Sequence, residues 1–333
     1  SKITGKMPKI VKISLYLYAA LLLFVFTHHV YSQDKVQKID ELVQKYNALG
    51  QINGAVLVAE NGNVIYSKGI GYADIENKIP NNADTKFRLA SVTKQFTAAL
   101  ILQLVEKGKI KLDGKLSDYL PYYRKDIGEK ITIHQILSHT SGLSNYTDDS
   151  KFMLSEDAKK KADPKDFILK YCSDELIFEP GTSWAYSNSG FFILGAVTEE
   201  VTGKNYGDVL QENILVPLGM TNSGYENSDL TYENKAKGYE NSFTGVVPAR
   251  FIEMTIPFSA GSMYSTGNDM FKWDQALYGE QILKNETKEK MFTPVLNNYG
   301  YGIGVGEQEI AGVKRKIITH SGGIFGFNTL ITR

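Results

Sequence analysis

The sequence predicts an α/β protein of the α+β type, an antiparallel sheet flanked by helices with a mostly helical lobe inserted into it. Two patterns predict this. Strand-like stretches are confined to the chain ends, residues 54–66 and 301–332, and the middle reads as helices joined by long loops. Composition agrees, because 333 residues with 42% apolar and 22% charged side chains suit a globule able to bury a sizeable core. No repeat of fixed period and no low-complexity run is present. The expected organisation is an upstream segment, residues 1–33, followed by one folded unit, 34–333. Its sheet lobe takes about 34–108 and 284–333, and its helical lobe about 109–283.

Lys6, Lys9 and Lys12 precede an almost wholly apolar run, Ile13 to Phe26, which closes in Val30-Tyr31-Ser32-Gln33. That is the pattern of a signal peptide. As a helix its 14 residues span about 21 Å, short of the roughly 30 Å hydrocarbon core. Export to the periplasm or the cell exterior, with cleavage near Ser32 or Gln33, is therefore expected. An uncleaved N-terminal anchor is the alternative, and membrane contact is expected only in that case. Ser1 is not an initiator, so the biological start is expected elsewhere.

Val36, Ile39, Leu42, Val43 and Tyr46 then share one helical face. Gly54–Val58 and Val64–Tyr66 flank Asn61-Gly62, a pair suited to the positive φ of a tight turn, which predicts an antiparallel hairpin. A long helix opens near Ser91, carries Phe96, Leu100, Leu104 and Val105 inward, and stops at Lys107-Gly108. Further helices are expected over Ile133–Leu137, Asp166–Tyr171, Phe191–Thr202, Tyr206–Leu215 and Asp269–Leu277. Strands return over Tyr301–Val305, Val313–Thr319 and Asn328–Thr332.

Charge excludes some functions. The 37 Lys+Arg balance 37 Asp+Glu, and the longest basic run is Lys159-Lys160-Lys161, so the footprint of a nucleic-acid partner is missing. Cys172 stands alone, which forbids an internal disulfide and a multi-cysteine metal site. His134 and His139, five apart without a nearby acidic motif, make a poor metal pair.

Three short motifs can carry chemistry. In Ser91-Val92-Thr93-Lys94 the serine and lysine lie three apart on one helical face. A serine hydroxyl needs a neighbouring base, and a lysine disfavoured as a cation by the helix N-terminus and by burial can be that base. In Tyr186-Ser187-Asn188 the phenol can shuttle a proton, its phenolate being favoured beside an ammonium, while the amide can both donate and accept. In His320-Ser321-Gly322-Gly323, at the end of a strand, paired glycines allow close backbone approach and an N–H for an oxyanion. Taken singly, each has a plainer reading: a helix cap at Ser91 and Asn188, a buried phenol at Tyr186, a turn-lining imidazole at His320.

In this order and spacing the three motifs resemble those of the serine β-lactamase and penicillin-binding-protein superfamily. The likeness is to the branch with Tyr-x-Asn as second motif, which includes class C β-lactamases, D-Ala-D-Ala carboxypeptidases and related esterases. Phe87-Arg88-Leu89-Ala90, Leu137–Leu143, Pro217-Leu218-Gly219-Met220 and Ala260–Thr266 are similar landmarks, so the resemblance runs from about residue 38 to 333.

The resemblance implies that Ser91 is the nucleophile, Lys94 its base, Tyr186 the proton relay to the leaving group, and Asn188 a substrate-orienting amide. It places His320, Ser321 and Gly322 in substrate binding, and the backbone N–H groups of Ser91 and Gly323 in an oxyanion hole. It implies no metal and no organic cofactor. Where many relatives have Lys-Thr-Gly, this chain has His320-Ser321-Gly322, exchanging a permanent cation for one expected to titrate near neutrality. The family usually adds a further strand and a C-terminal helix, so the chain is expected to be truncated at Arg333. The expected function is an exported serine hydrolase that forms a Ser91 acyl-enzyme with D-alanyl cell-wall peptides or small esters or amides. A β-lactamase with real turnover and a penicillin-binding sensor or scaffold without turnover are the alternatives.

Overall fold

The computed structural model describes residues 33–227 and 230–333. Apart from Gln33, the segment expected to be a signal peptide lies outside the described residues. No helix among the described residues is long and apolar enough to cross a membrane.

Helix α1 (33–48) lies on an antiparallel hairpin of β1 (Gly54–Glu60) and β2 (Asn63–Ile70). Asn61 and Gly62 turn with φ of 51° and 73°, the two left-handed residues that a type I′ turn requires. Val43 packs with Tyr66 and Ile70, and Val36, Ile39, Val56 and Val58 close around them. Leu42 and Tyr46, expected on the same inward face, are exposed. Paired strands lie only about 5 Å apart, so the hairpin covers the narrow stripe of Val36, Ile39 and Val43 and leaves its flanks in water.

Helix α2 (Thr93–Glu106), entered through a single 3₁₀ turn at Ala90–Val92, runs through the centre of the molecule. Every residue from Thr93 to Leu102 is buried, the pattern of a helix enclosed on all sides rather than of a surface helix with one apolar stripe. Gly108, at φ 68°, ends it. Beside it runs α3 (Asn188–Thr202), where Ser187 caps the start by accepting the Gly190 N–H at 3.1 Å. That cap opens the helix earlier than its apolar run suggests and puts Asn188 in the first turn. A short helix, Phe258–Gly261, packs against both α2 and α3. Close approach depends on Gly195, where a Cβ would lie 2.1 Å from the Ser259 hydroxyl oxygen.

The other expected helices form at Ile133–Leu137, Pro164–Tyr171, Tyr206–Leu210 with a π turn at Gln211–Leu215, and Gly267–Ala276. The sequence did not announce a small sheet of Phe87–Arg88, Met263–Ser265 and Gly224–Tyr225, or the hairpin Tyr239–Ser242 with Gly245–Pro248.

At the C-terminal end β3 (Gly304–Ile310), β4 (Val313–Ile324) and β5 (Phe327–Thr332) form a three-stranded antiparallel sheet in sequence order. The first starts later than expected, because Tyr301 and Ile303 are buried in a turn about Gly302, at φ 68°. The second continues through the third motif instead of stopping before it. Strands from both chain ends are antiparallel, as the patterning implies, but form separate sheets. A cavity of about 1190 Å³ lies between Gly54–Leu57 of β1 and Phe327–Thr332 of β5. Leu89 and Val92 line it, whereas Ser91 does not.

Candidate active site

Ser91 is set by a strained entry. Ala90 has φ of 47°, a left-handed conformation that costs a residue with a Cβ about 1–3 kcal/mol and tends to mark functional positions. Leu89 is tied on both sides of this bend, its N–H donating to Met263 O at 2.8 Å and its carbonyl accepting from the Thr329 hydroxyl at 2.7 Å. The bend leaves Ser91 half-buried, with its Oγ 3.2 Å from Lys94 Nζ.

Lys94 is 0% exposed. Its Nζ donates to Asn188 Oδ1 at 2.6 Å and to the Ala260 carbonyl at 2.9 Å, and no carboxylate pairs with it among the described residues. Aromatic faces of Tyr186 and Phe191, with centroids 4.8 and 5.6 Å away, favour the cation. Such contacts contribute about 0.5–2 kcal/mol, whereas desolvating an ion costs several. Burial wins and pushes the amine well below the ordinary lysine range. A neutral amine has two hydrogens, and both find acceptors in Asn188 and Ala260. Its lone pair is left for the remaining neighbour, the Ser91 hydroxyl, which is the geometry of a general base.

Tyr186 is hydrogen-bonded to Ser91, and burial pushes its phenol up in pKa despite that contact. Burial thus favours the phenol over the phenolate anticipated beside an ammonium. Asn188 is clamped. Its Oδ1 faces Lys94, its Nδ2 donates to Thr147 Oγ1 at 2.9 Å, and its backbone N–H donates to Asn145 Oδ1 at 2.9 Å.

Burial alternates along β4: His320 and Gly322 are buried, Ser321 and Gly323 exposed. At Gly322 a Cβ would lie 2.2 Å from Leu89 O and 3.0 Å from Ser91 N, so only glycine lets the strand lie against the nucleophile turn. At Gly323 a Cβ would meet only Asn328 Oδ1, at 3.6 Å, so that face is open. His320 Nδ1 lies 2.6 Å from Ser321 O, and its Nε2 lies 2.8 Å from the Tyr299 hydroxyl. A carbonyl can only accept, so Nδ1 carries the hydrogen and Nε2 accepts from Tyr299. Burial above all lowers the imidazole pKa to about 4, against the opposing pull of the Ser321 carbonyl. The expectation that His320 titrates near neutrality is thus corrected, since this imidazole is neutral at pH 7.

The structure brings Ser91, Lys94, Tyr186 and Asn188 into one hydrogen-bonded group, with β4 alongside. Sequence reasoning missed Ala260, Asn145, Thr147 and Tyr299. Ala260 acts through its carbonyl, which no side-chain pattern reveals, although it opens one of the landmark stretches. Among the described residues no group of three His, Cys, Asp or Glu side chains is placed to hold a metal.

A family model described as beta-lactamase matches residues 39–332. The chain is 33% identical over 319 residues to penicillin-binding protein 4* of Bacillus subtilis, covering 90% of this chain and 69% of that protein. Among solved structures, the octameric penicillin-binding protein homologue from Pyrococcus abyssi is similar with a TM-score of 0.78 and 26% identity, over 90% of this chain and 70% of that one. The D-stereospecific amidohydrolase from Streptomyces sp. gives a TM-score of 0.64 and 31% identity, over 75% and 78% of the two chains. The chain belongs to the β-lactamase family and is a serine hydrolase related to penicillin-binding proteins.

Proposed function

We propose that this chain hydrolyses small esters and amides, D-aminoacyl ones included, through an acyl-enzyme on Ser91. The observation that carries the reading is the buried Lys94 Nζ, 2.6 Å from Asn188 Oδ1, 2.9 Å from the Ala260 carbonyl and 3.2 Å from Ser91 Oγ, an arrangement in which a neutral amine turns its lone pair to Ser91. In this scheme Lys94 takes the hydroxyl proton as Ser91 Oγ attacks the carbonyl carbon. The N–H groups of Ser91 and Gly323 receive the oxyanion. Tyr186 gives its phenolic hydrogen to the leaving alcohol or amine and regains one from the Lys94 ammonium. Water then attacks the acyl-Ser91 ester as Lys94 takes one of its protons, and that proton returns to Ser91 Oγ as the Oγ–acyl bond breaks and the acid leaves. Asn188 holds Lys94 and retains an amide hydrogen for the substrate.

The neutral His320 supports substrates uncharged at the end that meets β4, and the likeness to a D-stereospecific amidohydrolase supports the amide class. A D-alanyl peptide ending in a carboxylate would rely on neutral donors such as the Ser321 hydroxyl. Residues 34–333 form the hydrolase unit in this proposal, and 1–33 direct export. Specificity constants for matched D-alanyl substrates, one an amide and one a free carboxylate, test the substrate class. The amide should be favoured by about tenfold or more at pH 7, and preference for the carboxylate would overturn the reading.

A further inference from the structure

His139 stands outside the reacting group, yet the residues on both sides of Tyr186 are fastened to it. Its carbonyl accepts the Ala185 N–H at 3.0 Å, and its Nδ1 accepts the Ser187 N–H at 3.1 Å. The ring stands 4.4 Å from the Tyr186 ring, between centroids, and 4.8 Å from that of Tyr299, the phenol that holds His320.

His139 is only 1% exposed and has φ of 59°, so the chain accepts left-handed strain at a buried histidine. A backbone N–H donates to Nδ1, so the hydrogen of the neutral ring sits on Nε2. That Nε2 is buried without a hydrogen-bond partner. An orphaned buried donor is costly and uncommon, which points to the acceptor at the other nitrogen as the reason for an imidazole here. The titratable groups that face the ring are Lys94, His320, Tyr186 and Tyr299, none of them a carboxylate. Burial above all pushes the ring's pKa well below the ordinary histidine range.

We infer that His139 is the positioning residue for Tyr186, its carbonyl and Nδ1 gripping the backbone on either side so that the phenol points at Ser91. The inference rests on the proposed relay role of Tyr186. A plain turn-forming role would need only a residue tolerant of φ 59°, and asparagine or glycine would serve equally. Positioning through Nδ1 needs an acceptor, which asparagine offers and glycine lacks.

The test compares His139→Asn with His139→Gly, each with wild-type and Phe at position 186, using a nitrophenyl ester as the probe. His139→Asn should keep kcat within about threefold, and His139→Gly should lower kcat by about tenfold or more with KM within about twofold. In Tyr186→Phe the same exchange should have no further effect. Equal kcat for the asparagine and glycine variants, or a full glycine loss persisting in Tyr186→Phe, would overturn the inference. A Tyr186→Phe protein with wild-type kcat would overturn the relay role itself, a failure seen without altering His139. Nitrogen-15 histidine spectra of the unaltered protein give a readout that needs no variant to fold. The Nε2–H tautomer of His139 should persist from about pH 5 to 8. An Nδ1–H tautomer, or titration near the ordinary histidine value, would contradict it.

Discussion

Asn188 Oδ1 lies 2.6 Å from Lys94 Nζ, so the second motif holds the base of the first in place. With the Ala260 carbonyl at 2.9 Å it accounts for both hydrogens of a neutral amine. Changing the charge at Asn188 should therefore act directly on the base. Asn188→Asp puts a carboxylate beside Nζ, favours the ammonium and raises the Lys94 pKa. The rising limb of kcat/KM should move to higher pH by at least about one unit. A pH–rate profile of the variant checks this, and an unmoved limb would mean that Lys94 is not the titrating base.

Lys94→Ala and Tyr186→Phe should each slow acylation by about 10²–10⁴-fold. Because the two groups handle one proton, the double variant should be little worse than the poorer single. Stopped-flow acylation rates for the three variants decide, and fully multiplicative losses would assign the residues to separate steps.

The two glycines of the third motif should behave oppositely. Gly322→Ala drives a methyl group to 2.2 Å from Leu89 O and should cost about 1–3 kcal/mol as the strand shifts from Ser91. Gly323→Ala meets only an ordinary contact with Asn328 Oδ1, at 3.6 Å, and should change stability by less than about 0.5 kcal/mol. Denaturant melts of both compare them, and equal losses would contradict the close approach at Gly322.

His320 should make stability depend on pH in acid. Its folded pKa is about 4, against about 6.5 unfolded, so between these values the unfolded chain binds more protons. Stability is then fully present above pH 6.5 and is lost as pH falls toward 4, by about 3 kcal/mol at most. His320→Gln should remove that share of the slope. Thermal melts from pH 4 to 7 test it, and identical slopes for variant and wild type would mean that the imidazole ionises freely when folded.

Ser91, Lys94 and Tyr186 stood out as candidates only because their three motifs together resemble those of a known family, whereas the hairpin about Asn61-Gly62 was legible because it is a local pattern. The charge state of His320 was not, since it follows from burial and from Tyr299 and the Ser321 carbonyl, contacts that only the folded chain supplies. Nor did the sequence place His320–Gly323 within β4. Two glycines read as a strand end, whereas here Gly322 continues the strand because a side chain would strike Leu89. Tyr301 and Ile303 mimic strand alternation, but both are buried about a left-handed Gly302, Tyr301 in the main core.

Ser91 should carry the acyl group of the reaction intermediate. Intact-protein and peptide mass spectra, recorded after rapid acid quench of a reaction with a slowly hydrolysed ester, test it most directly. An acyl adduct should appear on the peptide containing Ser91 and be absent from Ser91→Ala, while that variant keeps its fold to within about 1 kcal/mol, the worth of a single hydrogen bond. An adduct on another residue, or turnover surviving in Ser91→Ala, would contradict it.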